Sequence, residues 1–290
     1  MIGFCPLASG SKGNALYCGT KNTKILIDAG ISAKNIKERL DEIGVSIHTI
    51  DAICITHEHH DHIKISGLLI GSKDVVVRQT KKMLEEGYHL FKLKVSDNID
   101  EEIAKVRAVN EIIGGQALLH LDANQSWDLA KAIHFGNEVG LAAVEYIEEP
   151  FKYTSLIHDF FMQTTIPVAL DESLQAMSFN DIKGIDGVDF FILKPTMLGG
   201  IEKINRIVND ANRFAITTVL SSSYESGIGM LTLANLAGMT TRDRAAGLDT
   251  LKYFKGDLLK EPLSIHRGRM DIGDRMILSK DIRFDHLTKT

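Results

Sequence analysis

The chain has 290 residues, which is long enough for one large domain or for two domains of unequal size. With 44% hydrophobic and 24% charged residues, its composition is that of a globular protein and excludes disordered and fibrous classes. The net charge of -5 predicts no basic surface for nucleic acid or for an anionic membrane. No apolar run reaches the roughly 18 residues of a membrane span, and the first residues lack the features of a signal peptide. We therefore expect a cytoplasmic protein without nucleic-acid or membrane partners.

Residues 1–65 differ in character from the rest of the chain. Residues 24–28 and 52–56 predict strands, residues 32–40 predict a helix, and residues 9–14 predict a turn. The chain has three cysteines, all in this part, and three are too few for a disulfide framework. These few elements can form only a small hydrophobic core. We therefore expect a separate, partial α/β segment here.

From about residue 66 a strand-and-helix period begins. Eight short apolar runs end near residues 70, 94, 122, 148, 171, 194, 222 and 249. Segments with helical spacing separate them, and the runs are too apolar for a sheet with one wet face. Eight such units predict a (β/α)8 barrel over residues 66–265, with an open doubly wound sheet as the alternative. Residues 266–290 then form a C-terminal extension, which we expect to pack on or near the N-terminal segment.

Polar residues stand at the ends of five consecutive predicted strands: Lys94, Asp122, Glu148, Asp171 and Lys194. In a (β/α)8 barrel the carboxyl ends of the strands share one mouth, so these side chains should converge. Three carboxylates repel one another unless a hard cation lies among them, and oxygen ligands favour Mg²⁺, with Mn²⁺ as a substitute. A metal flanked by two lysines suits the removal of a proton next to a carboxylate, because the metal stabilises the resulting enolate.

Lys92 and Lys94 share one face of a predicted strand, because side chains alternate along it. Two neighbouring ammonium groups disfavour full protonation, and desolvation has the same effect. We therefore expect a lysine with a lowered pKa that acts as a base near neutral pH.

The residues around these positions form a set of motifs. They are Lys92-Leu-Lys94, Asp122-Ala-Asn124, Glu148-Glu-Pro150, Asp171-Glu-Ser173, Lys194-Pro-Thr196, Ser221-Ser-Ser223 and Gly247-Leu-Asp-Thr250. Together they resemble the enolase superfamily, and within it the o-succinylbenzoate synthase family, over about residues 66–265.

The resemblance implies a Mg²⁺-dependent carbon–oxygen lyase that acts on a small-molecule carboxylate in menaquinone biosynthesis. It implies that Asp122, Glu148 and Asp171 bind the metal. Lys94 would be the base and then the acid of a syn-dehydration, Lys194 would stabilise the enolate, and Lys92 would tune Lys94. Residues implied to hold substrate are Asn124, Ser221, Ser222 and Ser223. Relatives with the same lysines racemise N-acyl amino acids or epimerise dipeptides; the serine and Gly-Leu-Asp-Thr motifs favour the synthase.

A histidine-rich segment follows the second predicted strand of residues 1–65. His57, His59, Asp61 and His62 have the close spacing of metal ligands. With residues 7–14 and 25–30, the segment resembles the beginning of a metallo-β-lactamase-fold hydrolase over residues 1–64, a family that binds zinc and often cleaves phosphodiesters. The remaining histidine and aspartate ligands of that family are missing, so we expect a vestigial site with at most weak Zn²⁺ binding.

The synthase resemblance also implies an N-terminal capping domain, whose loops close the active site. Residues 1–65 occupy its place, which predicts a lyase with impaired substrate closure. A zinc phosphodiesterase and a non-catalytic fusion with a sticky N-terminal segment are the alternative hypotheses.

Overall fold

A computed structural model describes residues 3–8, 15–27, 33–54, 62–176, 178–182, 184–241, 244–272 and 279–286. The turn predicted for residues 9–14 lies outside these ranges. The chain divides into two compact units, Met1–Asp61 and His62–Thr290. In the described part, no helix is both long and apolar enough to cross a membrane.

In its described residues, the first unit contains a small sheet and one α-helix. Its elements are β1 (Gly3–Ala8), β2 (Ala15–Gly19), β3 (Lys24–Ile27), α1 (Ala33–Glu42) and β4 (Ala52–Cys54). Strands β1, β2 and β3 are antiparallel neighbours, and β4 adds to β3 in parallel. Its buried apolar cluster is small and consists of Leu7, Ala15, Leu26, Ile36 and Leu40. Strands β3 and β4 and helix α1 coincide with the predicted elements, whereas β1 and β2 were not predicted.

The second unit alternates strands and helices. Its strands are β5 (His62–Lys64), β6 (Gly67–Leu69), β7 (Leu90–Lys94), β8 (Leu118–Asp122), β9 (Tyr146–Glu148), β10 (Val168–Leu170), β11 (Val188–Leu193), β12 (Thr217–Leu220), β13 (Ile265–His266) and β14 (Arg269–Asp271). Its helices are α2 (Lys73–Glu85), α3 (Ile99–Ile113), α4 (Leu129–Val139), α5 (Ile157–Thr164), α6 (Ser173–Ala176), α7 (Phe179–Ile182), α8 (Pro195–Leu198), α9 (Ile201–Arg213) and α10 (Gly227–Thr240).

Strands β6 to β12 form one parallel sheet in sequence order. The sheet closes through a short eighth segment, in which Gly247 bridges Ser221 and Ala246 bridges Ile65, both in parallel. Backbone hydrogen bonds of 2.8 Å from Ala246 N to Lys64 O and from Gly247 N to Leu220 O hold this segment. The closed barrel confirms the predicted fold class, and the eighth predicted run supplies the closing segment.

The alternation of side chains along the strands separates two apolar layers. Inside the barrel lies a cluster of Tyr146, Ala169, Phe190, Ile192 and Val219. Outside it, the sheet packs on the helices through a larger cluster that includes Phe91, Leu121, Phe135 and Phe191. Because both faces are buried, the strands are mostly apolar, and the polar groups of the site lie at their carboxyl ends, except for Lys92 in the middle of β7.

A C-terminal hairpin completes the second unit. Strands β13 and β14 are antiparallel, and β14 pairs with β5, so that Arg269 lies opposite Lys64. The hairpin starts where the C-terminal extension was predicted to start. Its partner strand β5 is the last stretch of the chain before the barrel.

Candidate active site

The lysines and carboxylates expected at the barrel mouth lie at the carboxyl ends of adjacent strands. Lys94 on β7 is in register with Asp122 on β8, which is in register with Glu148 on β9. Asp171 directly follows β10, and Lys194 directly follows β11. The five side chains therefore form an arc of three buried carboxylates with a lysine at each end.

Ion pairs connect this arc. The Lys92 ammonium lies 2.9 Å from Asp122 Oδ2 and 2.6 Å from Glu148 Oε2, and so bridges the two carboxylates. Lys94 Nζ donates hydrogen bonds of 2.6 Å to Asp122 Oδ2 and 2.7 Å to Asn124 Oδ1. Lys194 forms an ion pair with Asp171.

One cavity brings the lysines from both ends of the arc together. Its lining residues are Ser66, Leu68, Lys92, Lys94, Lys194, Ser221, Ser222, Tyr224, Gly247, Asp249 and Thr250. A small molecule in this cavity would contact ammonium groups from two sides and hydroxyl groups from a third. The cavity thus has the chemistry to bind a carboxylate and to exchange protons with it.

The predicted substrate-binding residues have different surroundings. The hydroxyl of Ser222 lies 3.1 Å from Gly247 O and 2.9 Å from Thr250 Oγ1, and Ser221 Oγ lies 3.3 Å from Gly247 O. Both serines therefore line the cavity and also fasten the closing segment. Ser223 does not line it; its backbone N–H donates to Glu225 Oε2 at 2.7 Å. Asn124 does not line the cavity either, but its side chain accepts a hydrogen bond from Lys94, which does.

Glu149, to which the sequence assigned no role, organises the loop after β10. It is buried, and its Oε1 accepts hydrogen bonds of 2.8 Å from the backbone N–H groups of Asp171 and Ser173. Its Oε2 accepts one of 2.9 Å from the Ser173 hydroxyl. Glu149 therefore positions Asp171. The Glu-Glu pair was the available sequence signal, but it did not reveal which glutamate has which partners.

Sequence reasoning also missed Asp249 as a residue of the cavity. Its side chain is buried, accepts a hydrogen bond of 3.2 Å from Leu68 N and forms an ion pair with Lys252. Burial raises the pKa of Asp249, although Lys252 opposes this effect. The Gly247–Thr250 motif contained the signal, because it follows the last predicted strand.

The buried charges perturb one another. Burial raises the pKa of Glu148 to about 8; Asp122 and Asp171 add to the shift, and Lys92 opposes it. For Asp122 burial acts in the same direction, but Lys92 and Lys94 outweigh it and lower the pKa to about 2. Burial also opposes the charge of Lys92, yet Glu148 and Asp122 raise its pKa above the ordinary value. Lys92 therefore does not have the lowered pKa that was expected for one lysine of the pair, because its ion pairs with Glu148 and Asp122 favour the ammonium form.

The donor set fits a hard divalent cation. Glu148 Oε2 is buried and accepts no hydrogen bond, although it lies near the Lys92 ammonium. Mutual repulsion of three buried carboxylates is the condition that a cation relieves, and carboxylate oxygens are ligands that Mg²⁺ and Mn²⁺ prefer. Across the described ranges no three His, Cys, Asp or Glu side chains are already arranged around one metal position, and lysine ammonium groups pair with oxygens of the three carboxylates.

Only part of the histidine-rich segment can be described. His57, His59 and Asp61 lie outside the described residues. His62 lies on β5, where its Nδ1 is 4.0 Å from Asp271 Oδ1 on β14. The expected zinc site stays a prediction.

Comparison with known proteins places the barrel in a family. Residues 75–276 match the model of the Enolase C-terminal domain-like family, and the chain belongs to this family. Residues 9–99 match the Metallo-beta-lactamase superfamily model, beyond the resemblance expected to end at residue 64. The two matches overlap over residues 75–99, where the structure has helix α2 and strand β7 of the barrel unit.

Curated relatives named o-succinylbenzoate synthase are similar to half of the chain. The relatives from Haemophilus influenzae and Pectobacterium atrosepticum are each 34% identical over 145 residues, or 49% of this chain. The alignments cover 44% and 45% of these relatives, so the chain spans less than half of their length.

Solved structures share the fold. MenC from Desulfotalea psychrophila LSv54 is similar with a TM-score of 0.65 and 24% identity, covering 72% of this chain and 60% of that one. Muconate cycloisomerase from Pseudomonas fluorescens is similar with a TM-score of 0.67 and 18% identity, covering 93% and 92%.

Proposed function

We propose that this chain catalyses the o-succinylbenzoate synthase reaction, the syn-dehydration of 2-succinyl-6-hydroxy-2,4-cyclohexadiene-1-carboxylate in menaquinone biosynthesis. The main support is that Lys94 and Lys194, at opposite ends of an arc of three buried carboxylates, line the same cavity. The names of the curated relatives agree with this reaction.

Asp122, Glu148 and Asp171 would hold the metal, with Mg²⁺ as the expected ion. When bound, the ion supplies positive charge that stabilises the extra negative charge of an enolate. Glu149 supports this role of Asp171 by fixing the backbone on which Asp171 lies.

Lys94 would transfer the proton. As the neutral amine it removes the hydrogen from the ring carbon that bears the carboxylate. Its ammonium then returns this proton to the departing hydroxyl group, so that water leaves and the ring becomes aromatic. A proton taken and returned on one face of the ring makes the elimination syn.

The other cavity residues would bind and orient the substrate. Lys194, facing from the other end of the arc, would stabilise the enolate with its ammonium charge. Lys92 would tune Lys94 through Asp122, which contacts both ammonium groups. Asn124, which accepts a hydrogen bond from Lys94, would orient it, and Ser221 and Ser222, which line the cavity, would contact the substrate.

In the sequence, residues 1–65 precede the barrel at the position where the resemblance implies a capping domain. A site without its lid excludes water less well and lacks contacts to the substrate. We therefore expect a raised KM or a reduced turnover.

The experiment is a dehydration assay with the full chain and Mg²⁺, followed by the loss of diene absorbance. Lys94→Ala should lower kcat by about 10³-fold, since a positioned acid–base contributes 10²–10⁴-fold. The exposed Lys203→Ala on α9 is the control and should retain activity. Substantial activity in Lys94→Ala would remove the proposed base.

Racemisation or epimerisation would use the same lysine pair. Incubation of an N-acyl amino acid with the chain in D2O distinguishes these reactions, because a racemase exchanges the α-hydrogen without eliminating water. Exchange without any dehydration of the cyclohexadiene would favour the racemase.

The match of residues 9–99 keeps a zinc phosphodiesterase as the second candidate. It requires tightly bound zinc and phosphodiesterase activity that His59→Ala removes. A metal analysis that finds no zinc in the purified chain would exclude it.

A further inference from the structure

A second cavity opens at the opposite end of the barrel, where the strands begin. Its lining residues are Lys64, Ile65, Gly87, His89, Leu90, Leu118, Arg244, Ala245, Arg267, Gly268 and Arg269. They include the first residues of β7 and β8, whereas the candidate active site lies at the carboxyl ends of the strands. The cavity volume of about 260 Å³ is below the roughly 300 Å³ at which pockets for drug-sized ligands begin, so a small ligand fits.

The charged residues that line this cavity are all cationic. They are Lys64, Arg244, Arg267 and Arg269, and His89 adds a titratable ring. The chain as a whole has 38 acidic and 33 basic residues, so this clustering runs against its net charge. Asp271 lines an adjoining cavity with His62 and His266; Arg267 and Arg269 line both cavities.

Two of the cationic residues are cross-strand neighbours within the sheet. Lys64 on β5 and Arg269 on β14 are directly opposite in an antiparallel pair. Like charges in this position destabilise a sheet unless an anion lies between or beside them. Within the described ranges neither side chain, nor that of Arg267, forms an ion pair with a carboxylate.

The fourth cationic residue, Arg244, forms an ion pair through one nitrogen of its guanidinium group. Arg244 Nη1 lies 2.5 Å from Glu145 Oε1, and its guanidinium carbon is 5.5 Å from the centre of the Phe190 ring. A guanidinium has five N–H donors in a rigid fork, so an anchored Arg244 retains donors for a ligand.

The turn between β13 and β14 holds the cavity in shape. Arg267 and Gly268 have φ values of 51° and 64°, both in the left-handed region, as a two-residue hairpin turn requires. A Cβ on Gly268 would lie 3.0 Å from Gly87 O, and Ile65 N donates a hydrogen bond of 2.8 Å to Gly268 O. Arg267 thus has a left-handed backbone conformation in a turn that is packed tightly on two sides.

We infer that this basic cavity binds a diphosphate group, either free pyrophosphate or the diphosphate of a nucleotide. Arginine forks match phosphate oxygens in geometry, and adjacent phosphates carry enough charge to relieve the repulsion between Lys64 and Arg269. The site is separate from the proposed dehydration and does not depend on it.

The experiment is isothermal titration of the full chain with pyrophosphate and with a nucleoside diphosphate, without divalent cations. Arg267→Gln and Arg269→Gln should each weaken binding at least tenfold, and raising the salt from 50 to 200 mM should weaken it further. Arg206→Gln on α9 is the control for exposed arginines, and Lys94→Ala is the control for binding at the active site. Both controls should bind like the unchanged chain.

The two probes identify the source of the diphosphate. Similar affinities mean that the diphosphate group alone is recognised, and preference for the nucleoside diphosphate means that a nucleotide is the ligand. Either result supports the inference. It is overturned if neither probe binds at millimolar concentration, if Lys94→Ala removes the binding, or if the cavity variants lose no more affinity than Arg206→Gln.

Discussion

At the scale of single residues, the two adjacent glutamates at the end of β9 show how the backbone divides their roles. Glu148 is the last residue of the strand and lies in the arc of carboxylates. Glu149 follows with a φ of 41°, in the left-handed region, which removes it from the alternation of the strand. It meets backbone N–H groups of the next loop instead.

We predict that Glu149→Gln lowers the free energy of unfolding by about 1–3 kcal/mol. The amide oxygen can keep the two backbone N–H groups that Oε1 accepts, but its NH2 group then meets the Gln125 Nε2 donor that Oε2 accepts at 3.0 Å, which is left without its acceptor. Urea unfolding measures the change, with the exposed Glu202→Gln as the control. Equal stabilities of the two variants would show that Glu149 does not hold the loop.

Glu145 is held by two partners: its Oε2 lies 2.6 Å from His120 Nε2, and its Oε1 lies 2.5 Å from Arg244 Nη1. Burial opposes its charge, but these two partners outweigh burial and lower the pKa from 4.5 to about 2. A carboxylate with a lowered pKa in the folded state stabilises above the unfolded pKa. This stabilisation is lost as the pH falls from 4.5 towards 2.

Glu145→Gln should therefore destabilise the chain by about 1–2 kcal/mol at pH 7, a reduced figure because Arg244 is partly exposed. The difference from the unchanged chain should narrow below pH 4.5. Urea unfolding at pH 7 and pH 3.5 measures it. A difference that is the same at both pH values would contradict the assignment.

At the scale of elements, the barrel depends on a closing segment in which only Ala246 and Gly247 bridge to the neighbouring segments. Gly247 allows it to approach β12, because a Cβ there would lie 2.6 Å from Ser221 Oγ. Directly after this contact, Asp249 turns back to Leu68 at the start of the barrel. Closure of the barrel and the wall of the cavity are thus built by the same few residues.

We predict that Gly247→Ala lowers the free energy of unfolding by about 1–3 kcal/mol, as overpacking of a filled site does. Gly184→Ala is a matched control, because a Cβ at Gly184 meets no atom within 4 Å. It should be neutral or slightly stabilising. If thermal unfolding shows the same midpoint for both variants, the closing segment is looser than described.

The elements also show which features a single sequence reveals. The eight apolar runs were predictable because parallel strands buried on both faces are apolar throughout. Strand β1 was not predicted, since Pro6 argues against a strand; it is tolerated because β1 is an edge strand. Helix α3 lies between the runs that end near residues 94 and 122, where the period predicts a helix, although its buried face carries the ion pair of Glu102 and Lys105.

The residues of the candidate site also fall into predictable and unpredictable ones. Residues at strand ends were predictable because they recur with the period of the barrel. The partners of Glu149 and Asp249 were not, because these hydrogen bonds join residues from different strands; Asp249 and Leu68 are 181 residues apart in the chain. Such pairs need the folded backbone.

At the scale of the whole molecule, the chain combines two units with very different hydrophobic cores. The barrel unit has extensive apolar layers inside and outside its sheet. Among its described residues, the first unit has a buried apolar cluster of five, and we expect so small a cluster to leave the unit marginally stable. We expect the two units to unfold with different stabilities.

Hydrogen exchange with mass spectrometry tests this expectation on the intact chain. Amides of β2 and β3 should exchange much faster than amides of β8, because small cores open more often. Equal protection in both units would show that they unfold together.

The most direct test of the central claim is a crystal structure of the full chain with Mg²⁺ and o-succinylbenzoate. We predict one ion bound by carboxylate oxygens of Asp122, Glu148 and Asp171, with the ammonium groups of Lys94 and Lys194 on opposite faces of the ligand. An ion bound elsewhere, carboxylates too far apart to share it, or a Lys94 side chain that points into bulk water would contradict the account.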